Sequence, residues 1–449
     1  MKVFFRTFGI SMVLGLYLLP AFGQQSAINF FRAPDRNGLN VFEAPNLDTV
    51  PYTGFKLRIG GNFTQQYQYL SHENNASPNM AGDINLSQLF PLSPGFNLAT
   101  ANLNFDIQLE DGISVKLENY MSSRHHPEFW VKGGYIQVDK LPMFGSPAWF
   151  TDYVRVRIGH FGVNYGDQQF RRSDNGNTFH NPFVGNTIMD AFTTEIGGEV
   201  YIFPSDDFFF MVGMTGGLIN GDVREARDAQ GEVIKKNPSL LAKAGYDKQI
   251  SEDFRFRLSA SFYTNPGTTR NTLYAGDRTG SRYYMVTEPL FYRNFQAGGA
   301  ITASSAANRF TSGRLAPDFT REVTSFMLNP FFKYRGLELF GTIEMSSGTN
   351  NPAQESRSFS QFAGEVVYRF LPNEQAFIGA RYNKVSGELP GANGDVSVDR
   401  IQLAAGWYTT KNLLLKVEYV NQNFNDFDAS DVRHQAKFNG VVVEAAIAF

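Results

Sequence analysis

Apolar and polar residues alternate along most of the chain after residue 54. In the first such stretch Phe55, Leu57 and Ile59 share one face, and Lys56 and Arg58 share the other. A period of two residues over this length predicts a β-strand with one apolar and one polar face. The chain therefore begins its regular structure with a long, two-faced strand.

The last stretch, 435–449, alternates in the same way and ends on the aromatic residue Phe449. Val441 and Val443 share its apolar face, whereas Glu444 lies on the other face. A strand of this length with lipid-compatible residues on one face suits a transmembrane β-barrel. An edge strand of a soluble β-sandwich is the alternative for this stretch taken alone.

The alternating stretches predict an all-β chain of about sixteen antiparallel strands, an even number that closes a barrel. Short connections such as Asp111-Gly112 and Arg335-Gly336 alternate along the chain with long loops such as 71–96, 163–190 and 265–321. Short turns at one end and long loops at the other are typical of outer-membrane barrels. If 282–288 and 295–302 form a further hairpin, the count becomes about eighteen. The predicted strands lie near 55–70, 97–110, 113–122, 129–140, 152–162, 191–202, 207–219, 238–249, 253–264, 322–334, 337–347, 358–371, 376–386, 396–409, 412–424 and 435–449.

The composition agrees with this reading and excludes other classes. Hydrophobic residues make up 42% of the 449 residues, too few for a helical membrane protein, and aromatic residues make up 15%. The chain has no Cys, which excludes disulfides and thiolate metal sites. The net charge is -3, and the sequence has no long run of residues of one charge, so nucleic acid is not an expected partner. His125 and His126 have no third ligand at useful spacing, so neither metal nor cofactor is predicted.

The N-terminal region divides into two parts before the predicted barrel, 54–449. Residues 1–23 have a basic start, a short apolar run and a small-x-small cleavage site, and predict a secretory signal peptide. Residues 24–53 lack alternation and contain Pro34, Pro45 and Pro51, so we expect an irregular periplasmic arm. The sequence leaves open whether this arm enters the barrel.

The alternation also assigns charged residues to the barrel interior, because a charge on the lipid face at mid-bilayer costs about 2–4 kcal/mol. A barrel of about sixteen strands is wide enough for a water-filled lumen. Ion pairing that holds a filled barrel rigid is the alternative. The predicted pore-lining residues are Lys56, Arg58, Lys116, Arg155, Arg157, Arg255, Arg257, Arg369, Arg381, Arg400, Lys416, Glu118, Glu365 and Glu418.

The loop 163–190 concentrates Arg171, Arg172, Asp167 and Asp174 among Asn and Gly residues. Long loops without regular structure of their own tend to be functional. We expect this loop to narrow the pore, with the arginine pair on one wall and the two aspartates on the other. Such a field would set a preference for small polar or anionic solutes. A solvated surface loop is the alternative.

Three stretches carry a resemblance to a known family: VRVRIGHFGVNYGDQQFRRSDNG, NPFVGNTIMDAFTTEIGGEVY and NLLLKVEYVNQNF with the strand ending in Phe449. They resemble Bacteroidetes outer-membrane porins related to the phosphate-selective porin O and P family. The loop 163–190 is also similar in position to the inward third loop of general porins. The resemblance implies a sixteen-stranded barrel and passive uptake of small solutes. This sequence lacks the dense series of Lys residues that would favour selectivity for phosphate.

Together these observations predict a non-enzymatic outer-membrane porin for small hydrophilic solutes, anions among them. Expected partners are outer-membrane lipid, the barrel-assembly machinery that reads the strand ending in Phe449, and the solutes themselves. A homotrimer is a candidate assembly because porin trimers are common. The alternative is a surface adhesin or structural protein whose lumen is plugged by 24–53 or 265–321.

Overall fold

The computed structural model describes residues 27–44, 46–125, 129–228, 231–276, 282–294, 297–305, 309 and 311–449. The predicted signal peptide, 1–23, and His126 lie outside these residues. Two residues of the hairpin considered for 282–302, at 295 and 296, also lie outside them.

Sixteen long strands form one closed antiparallel sheet within the described part of the chain. Each strand pairs with the next in sequence, and β16 returns to pair with β1, from Asn62 opposite Ala448 to Glu73 opposite Lys437. The predicted barrel and its strand number are therefore confirmed. The strands are β1 (Lys56–Glu73), β2 (Thr100–Glu110), β3 (Ile113–Ser122), β4 (Phe129–Val138), β5 (Val154–Gly162), β6 (Thr194–Ser205), β7 (Phe208–Thr215), β8 (Ser239–Gln249), β9 (Phe254–Asn265), β10 (Glu322–Tyr334), β11 (Leu337–Thr349), β12 (Arg357–Phe370), β13 (Ala376–Glu388), β14 (Asp395–Tyr408), β15 (Leu413–Asn425) and β16 (Lys437–Ala448).

Short strands in the long loops stay outside this succession. Gly95–Phe96 extends the sheet beside the outer half of β1, and Met80–Ala81 pairs with Ile84–Asn85. Phe291–Asn294 pairs with Ala300–Ala303 as a hairpin separate from the barrel sheet. Residues 282–288 form turns rather than a strand, so the hairpin differs from the one considered for 282–302, and the barrel has sixteen strands rather than eighteen.

The connections alternate in length around the barrel. Residues 111–112, 206–207 and 335–336 make tight turns at one end, where both ends of the barrel chain also lie. The connection 139–153 at this end is longer and contains the short helix Ala148–Thr151. Gly112 has φ +72, and a Cβ there would lie 2.4 Å from the Lys140 side chain, so the first tight turn requires glycine. The longest loops, among them 163–193 and 266–321, lie at the other end.

The two faces of the sheet meet different surroundings. On β16, Val441, Val443 and Ile447 are exposed on the outside, whereas Val442 and Ala446 are buried. The same alternation runs along β12 and β15. An apolar exterior around a closed sheet is the arrangement of a membrane-spanning β-barrel. Among the described residues, none of the helices has the length and apolar character needed to cross a membrane.

The interior of the barrel is packed with chain. The described part of the arm 27–53 fills the end with the tight turns, where Arg36 bonds to the turn residue Lys411 and Asn40 bonds to Glu338 at the start of β11. The loop 163–193 lies inside the barrel, and its Phe179 and Phe183 pack against inward residues of β12 to β16. The interior is therefore much narrower than the width of a sixteen-stranded barrel allows.

Candidate functional site

The loop 163–193 crosses the barrel interior from wall to wall. Near its start, the Asp167 amide donates to Asn329 on β10 at 2.8 Å. Farther along, Asn175 donates to the Ala101 carbonyl on β2 at 2.6 Å. Lys416 on β15 donates to the carbonyls of Thr178, Asn181 and Phe183 at 3.0–3.1 Å. The loop is thus anchored on three sides by hydrogen bonds, which use its backbone at Asp167, Thr178, Asn181 and Phe183 and a side chain at Asn175.

Asp167 lies on the β8–β9 side of the interior. Its carboxylate contacts Arg257 at 2.7 Å and Lys243 at 2.8 Å, and Glu43 of the arm contacts the same two cations. Burial alone would raise the pKa of Asp167, but Arg257 and then Lys243 outweigh it and hold the pKa below its ordinary value. The same two cations overcome burial to lower the pKa of Glu43. Both carboxyl groups are therefore ionised and paired.

Arg171 lies on the neighbouring part of the same side. It sits 3.5 Å from Glu338 and 3.2 Å from Glu365, and its Nη1 donates to Asn40 of the arm at 2.5 Å. Each glutamate has a second partner, because Arg369 contacts Glu338 at 2.6 Å and Arg381 contacts Glu365 at 2.8 Å. This closed network of buried ions fastens loop and arm to β11, β12 and β13.

Arg172 and Asp174 lie on the opposite side of the loop. Arg172 contacts Asp190 at 2.7 Å and Asp174 at 3.2 Å, and its guanidinium lies 4.0 Å from the centre of the Phe192 ring. Asp174 also contacts Lys132 on β4 at 2.5 Å and accepts from Tyr120. Burial would raise the pKa of Asp174, but Lys132 and then Arg172 hold it below its ordinary value. The four predicted constriction residues are thus divided between two sides of the loop.

A cavity of about 230 Å³ remains between the loop, the N-terminal arm and the wall formed by β1 to β5; we call it the β1–β5 chamber. Its lining contains six basic and three acidic side chains together with several aromatic rings. The charged residues of this lining are Arg32, Arg58, Lys116, Lys132, Arg157, Arg172, Asp106, Glu118 and Asp174.

The wall of the β1–β5 chamber carries polar atoms that lack partners. The strand register places Asp106 directly between Arg58 and Lys116. Asp106 pairs with Arg58 through Oδ2 at 2.5 Å, whereas its Oδ1 has no hydrogen-bond partner among the described residues. Asn62 Nδ2 and Asn104 Oδ1 are also buried without a partner in that part of the chain. Buried polar groups are normally satisfied, so these atoms indicate a site that holds water or solute.

Lys116 differs from the other charged residues of the β1–β5 chamber. It faces Asp106 across the strand pair, yet the described residues offer it no ion pair. It is half-buried, and the cavity lies directly in front of it. An ammonium group in this setting is available to an anion that enters the chamber.

The predicted pore-lining residues all lie on the inner side of the barrel, but in different settings. Arg58, Lys116, Arg157 and Glu118 line the β1–β5 chamber. Most of the remainder form closed contacts elsewhere in the interior. These contacts are Lys56 to the Pro51 carbonyl, Arg155 to Asp139, Arg255 and Arg257 to Asp247, Arg369 to Glu338, Arg381 to Glu365, Arg400 to Gln422, Lys416 to Glu444, and Glu418 to Tyr283.

Sequence reasoning missed several charged residues of the interior, among them Lys132, Lys243 and Glu43. Lys132 is the extra residue of a bulge, since the partners on β4 jump from Gly133 to Val131 opposite Glu118 and Asn119. A bulge breaks the period of two, so the alternation could not place Lys132. Lys243 shares the inward face of β8 with Leu241, a signal that could have found it. Glu43 lies in the irregular arm, where no local pattern marks it.

Comparisons with known proteins bear on the fold. No protein-family model matches this sequence, and no curated protein sequence matches it. The anion-selective porin from Comamonas acidovorans is similar in structure, with a TM-score of 0.52 at 10% identity, over 88% of this chain and 100% of that chain. The outer membrane channel DcaP of Acinetobacter baumannii has a TM-score of 0.49 at 12% identity, over 89% and 99%. OmpT of Vibrio cholerae in its trimer form has 0.48 at 12%, over 88% and 100%.

The closed sheet, its apolar exterior and its charged interior define the class of this protein. It has the fold of an outer-membrane β-barrel of the porin type. At such low identity the likeness shows the fold, and the function rests on the geometry of the interior.

Proposed function

We propose that this chain is a non-enzymatic outer-membrane porin that passes small hydrophilic solutes by diffusion through the β1–β5 chamber. The observation that carries the proposal is the set of unpartnered buried atoms on the chamber wall, at Asn62, Asn104 and Asp106. Such atoms cost free energy unless water or solute meets them, so a hydrated route along this wall accounts for them. The loop 163–193 is the element that narrows the route.

The charge of the chamber favours anions. Basic side chains outnumber acidic ones six to three, and Lys116 is the base best placed to meet a passing anion. We assign selectivity to Lys116, Arg172 and Asp174, and we assign Arg171 and Asp167 to anchoring the loop. The name of the Comamonas acidovorans neighbour, an anion-selective porin, agrees with this preference. Membership of the phosphate-selective porin O and P family, and a Bacteroidetes origin, stay predictions from the resemblance.

Planar bilayers containing the purified protein under a salt gradient test the proposal. We expect single-channel conductance and a reversal potential on the anion side. Arg172→Glu should shift the reversal potential towards cations, because Arg172 lines the chamber. Arg171→Glu is the matched comparison, and it should act through stability rather than selectivity. A protein that is folded but never conducts would contradict the proposal.

A second function is favoured by the packing of the interior. The arm and the loop bury ion pairs such as Arg257–Glu43 and Arg171–Glu365 inside the barrel. A structural barrel or surface adhesin would need such a plug and would need no route for solutes. The same bilayer measurement separates the two, since a plugged barrel gives no conductance.

We also propose that residues 1–23 direct export and that assembly proceeds through the C-terminal strand. Phe449 exchanges backbone hydrogen bonds with Gly61 at 3.0 and 3.1 Å, so the last residue helps to close the sheet. Its side chain is 53% exposed and available to the barrel-assembly machinery. Phe449→Ala should lower the amount of protein in the outer membrane. A homotrimer is proposed for the mature protein, and its mass in mild detergent tests this.

A further inference from the structure

The carboxylate of Glu43 in the N-terminal arm occupies a site built by the barrel wall. Its side chain is 7% exposed and lies 2.8 Å from Lys243 Nζ and 2.6 Å from Arg257 Nη2. Asn164 of the loop donates its amide to the same carboxylate at 3.3 Å. Three donors from three different elements thus converge on one carboxylate.

The two cations keep other supports that do not come from the arm. Lys243 donates to Asn164 Oδ1 at 2.8 Å and to the Gly166 carbonyl at 3.1 Å. Arg257 is held by Asp167 at 2.7 Å and lies 5.2 Å from the centre of the Phe209 ring. The cation geometry is therefore pre-organised by the wall and the loop, and Glu43 supplies an exchangeable group.

The charges of this cluster balance only when Glu43 is present. Lys243, Arg255 and Arg257 supply three cations, and Asp167 and Asp247 supply two carboxylates in contact with them. Without Glu43 the cluster carries one surplus positive charge in a buried position. A buried uncompensated charge is strongly unfavourable, so the empty site would attract another carboxylate.

Space for an incoming molecule lies beside the site. A cavity of about 590 Å³ runs between the arm and the barrel wall at the end with the tight turns, and Glu43, Arg255 and Arg257 are among its lining residues. Leu47 and Tyr153, also in its lining, are 58% and 47% exposed. A small solute in this cavity would meet the arginines beside the Glu43 carboxylate, and also Asp152, Asp206, Asp207 and Asp247 of the same lining.

We propose that Lys243 and Arg257 form a binding site for small carboxylates, that Glu43 fills this site as an internal ligand, and that solute carboxylates compete with it and loosen the arm. The two cations lie on β8 and β9, outside the β1–β5 wall, although Phe42 and Ala44 on either side of Glu43 line both cavities. Binding of carboxylates at this site does not depend on the porin function, whereas any effect of a loosened arm on transport rests on the proposed function.

Chemical rescue tests the binding site. Glu43→Ala removes the internal carboxylate and leaves a space of that size, so the variant should unfold at a lower temperature than the wild type. Acetate should restore most of that loss, with half of the effect in the millimolar range because so small a ligand offers few atoms for binding. Chloride at equal ionic strength should restore little. No difference between acetate and chloride would overturn the proposal.

Two variants serve as controls for the rescue. Glu43→Gln fills the space with a neutral amide, so acetate should leave its unfolding temperature unchanged. Glu252→Ala removes an exposed carboxylate from the turn 250–253 and should show neither a loss nor a rescue. Rescue of Glu43→Gln to the same degree as Glu43→Ala would contradict a specific site.

The wild-type protein supplies a second measurement in case Glu43→Ala does not fold. Acetate should compete with Glu43 and increase the rate of trypsin cleavage at Arg32 and Arg36 of the arm by at least about twofold over chloride, as expected when a ligand shifts a local opening equilibrium. Equal cleavage rates would overturn the competition. Neither readout uses conductance, so a non-conducting protein that shows rescue would refute the porin function and keep the carboxylate site.

Discussion

The two sides of the barrel interior use the same kinds of residue with opposite results. On the β8–β13 side, Arg257 and Arg171 pair with carboxylates of both the wall and the inserted segments. On the β1–β5 side, Lys116 has no ion pair among the described residues, and Asn104 and Asp106 keep unpartnered atoms beside a cavity. Charged residues in the lumen therefore do not by themselves indicate a pore. Ion-paired residues hold the inserted segments in place, whereas charged or polar groups without a protein partner face the chamber.

The difference follows from where the arm and the loop are packed. Removing charged groups from water costs several kcal/mol per ion unless each finds a partner, so the packed side is closely paired. The chamber side keeps space for water, which can satisfy the remaining groups without protein partners. The paired contacts thus anchor the inserted segments, and the side with unpartnered groups is the one that we propose as the route.

The largest expected effect comes from breaking an anchor. Arg257→Met leaves Asp167 and Glu43 sharing Lys243 in a buried position, and we expect a loss of about 3–5 kcal/mol in the free energy of unfolding. Urea unfolding of the detergent-solubilised protein measures it. A loss no greater than that of a surface substitution would show that the cluster does not anchor the loop.

Reversing the unpaired charge of Lys116 in the chamber should change the anion selectivity of the channel. A unit charge at 4 Å in water is worth about 1 kcal/mol, so Lys116→Glu should lower the ratio of anion to cation permeability by roughly fivefold for each unit of charge changed. Reversal potentials in a salt gradient measure the ratio. Lys411→Glu, in the turn 409–412, is the control, and an equal shift there would remove the chamber from the pathway.

Acid should weaken the packing of the loop against the arm through His180. Burial and then the neighbouring Arg32 hold the pKa of His180 well below its ordinary value, while the hydrogen bond to the Asp35 carbonyl opposes them. Below about pH 6.5 the unfolded histidine binds a proton that the folded one does not, so stability falls as the pH falls. One such proton contributes at most about 1.4 kcal/mol per pH unit.

Unfolding measured between about pH 7 and pH 5 tests this dependence. His180→Gln removes the titrating group and should flatten the decline in this range. Asp167 and Asp174, whose pKa values are lowered in the folded protein, should add a further decline only below about pH 4, where the unfolded chain begins to bind protons at these two residues. If the loss of stability over this pH range is the same with and without His180, other titratable groups cause it.

The smallest effect is expected at an exposed ion pair between two neighbouring tight turns. Arg335 and Asp253 lie 3.0 Å apart, but their side chains are 68% and 44% exposed. Solvent screens such a pair, so Arg335→Met should leave the midpoint of urea unfolding unchanged within error. A clear loss would mean that exposure is a poor guide to which pairs hold this barrel together.

The sequence by itself determined the barrel, because the alternation of apolar and polar residues is visible in each strand separately. The period of two on β1 and β16 follows from lipid on one side and polar groups on the other, and this demand acts on each strand separately. The alternation of short and long connections also followed from local turn residues such as Gly112 and Gly336. Strand number and the inward direction of the charges were thus predictable.

Only the tertiary structure decided which inward charges are anchors and which face the chamber. Glu43 meets Arg257 across 214 residues of sequence, and Arg171 meets Glu365 across 194. In an irregular segment, no sequence period identifies the partner of a residue. The bulge at Lys132 also interrupts the two-residue alternation at a charged residue of the chamber wall. The pairing depends on how the arm and the loop pack inside the closed barrel, and that packing arises from long-range contacts alone.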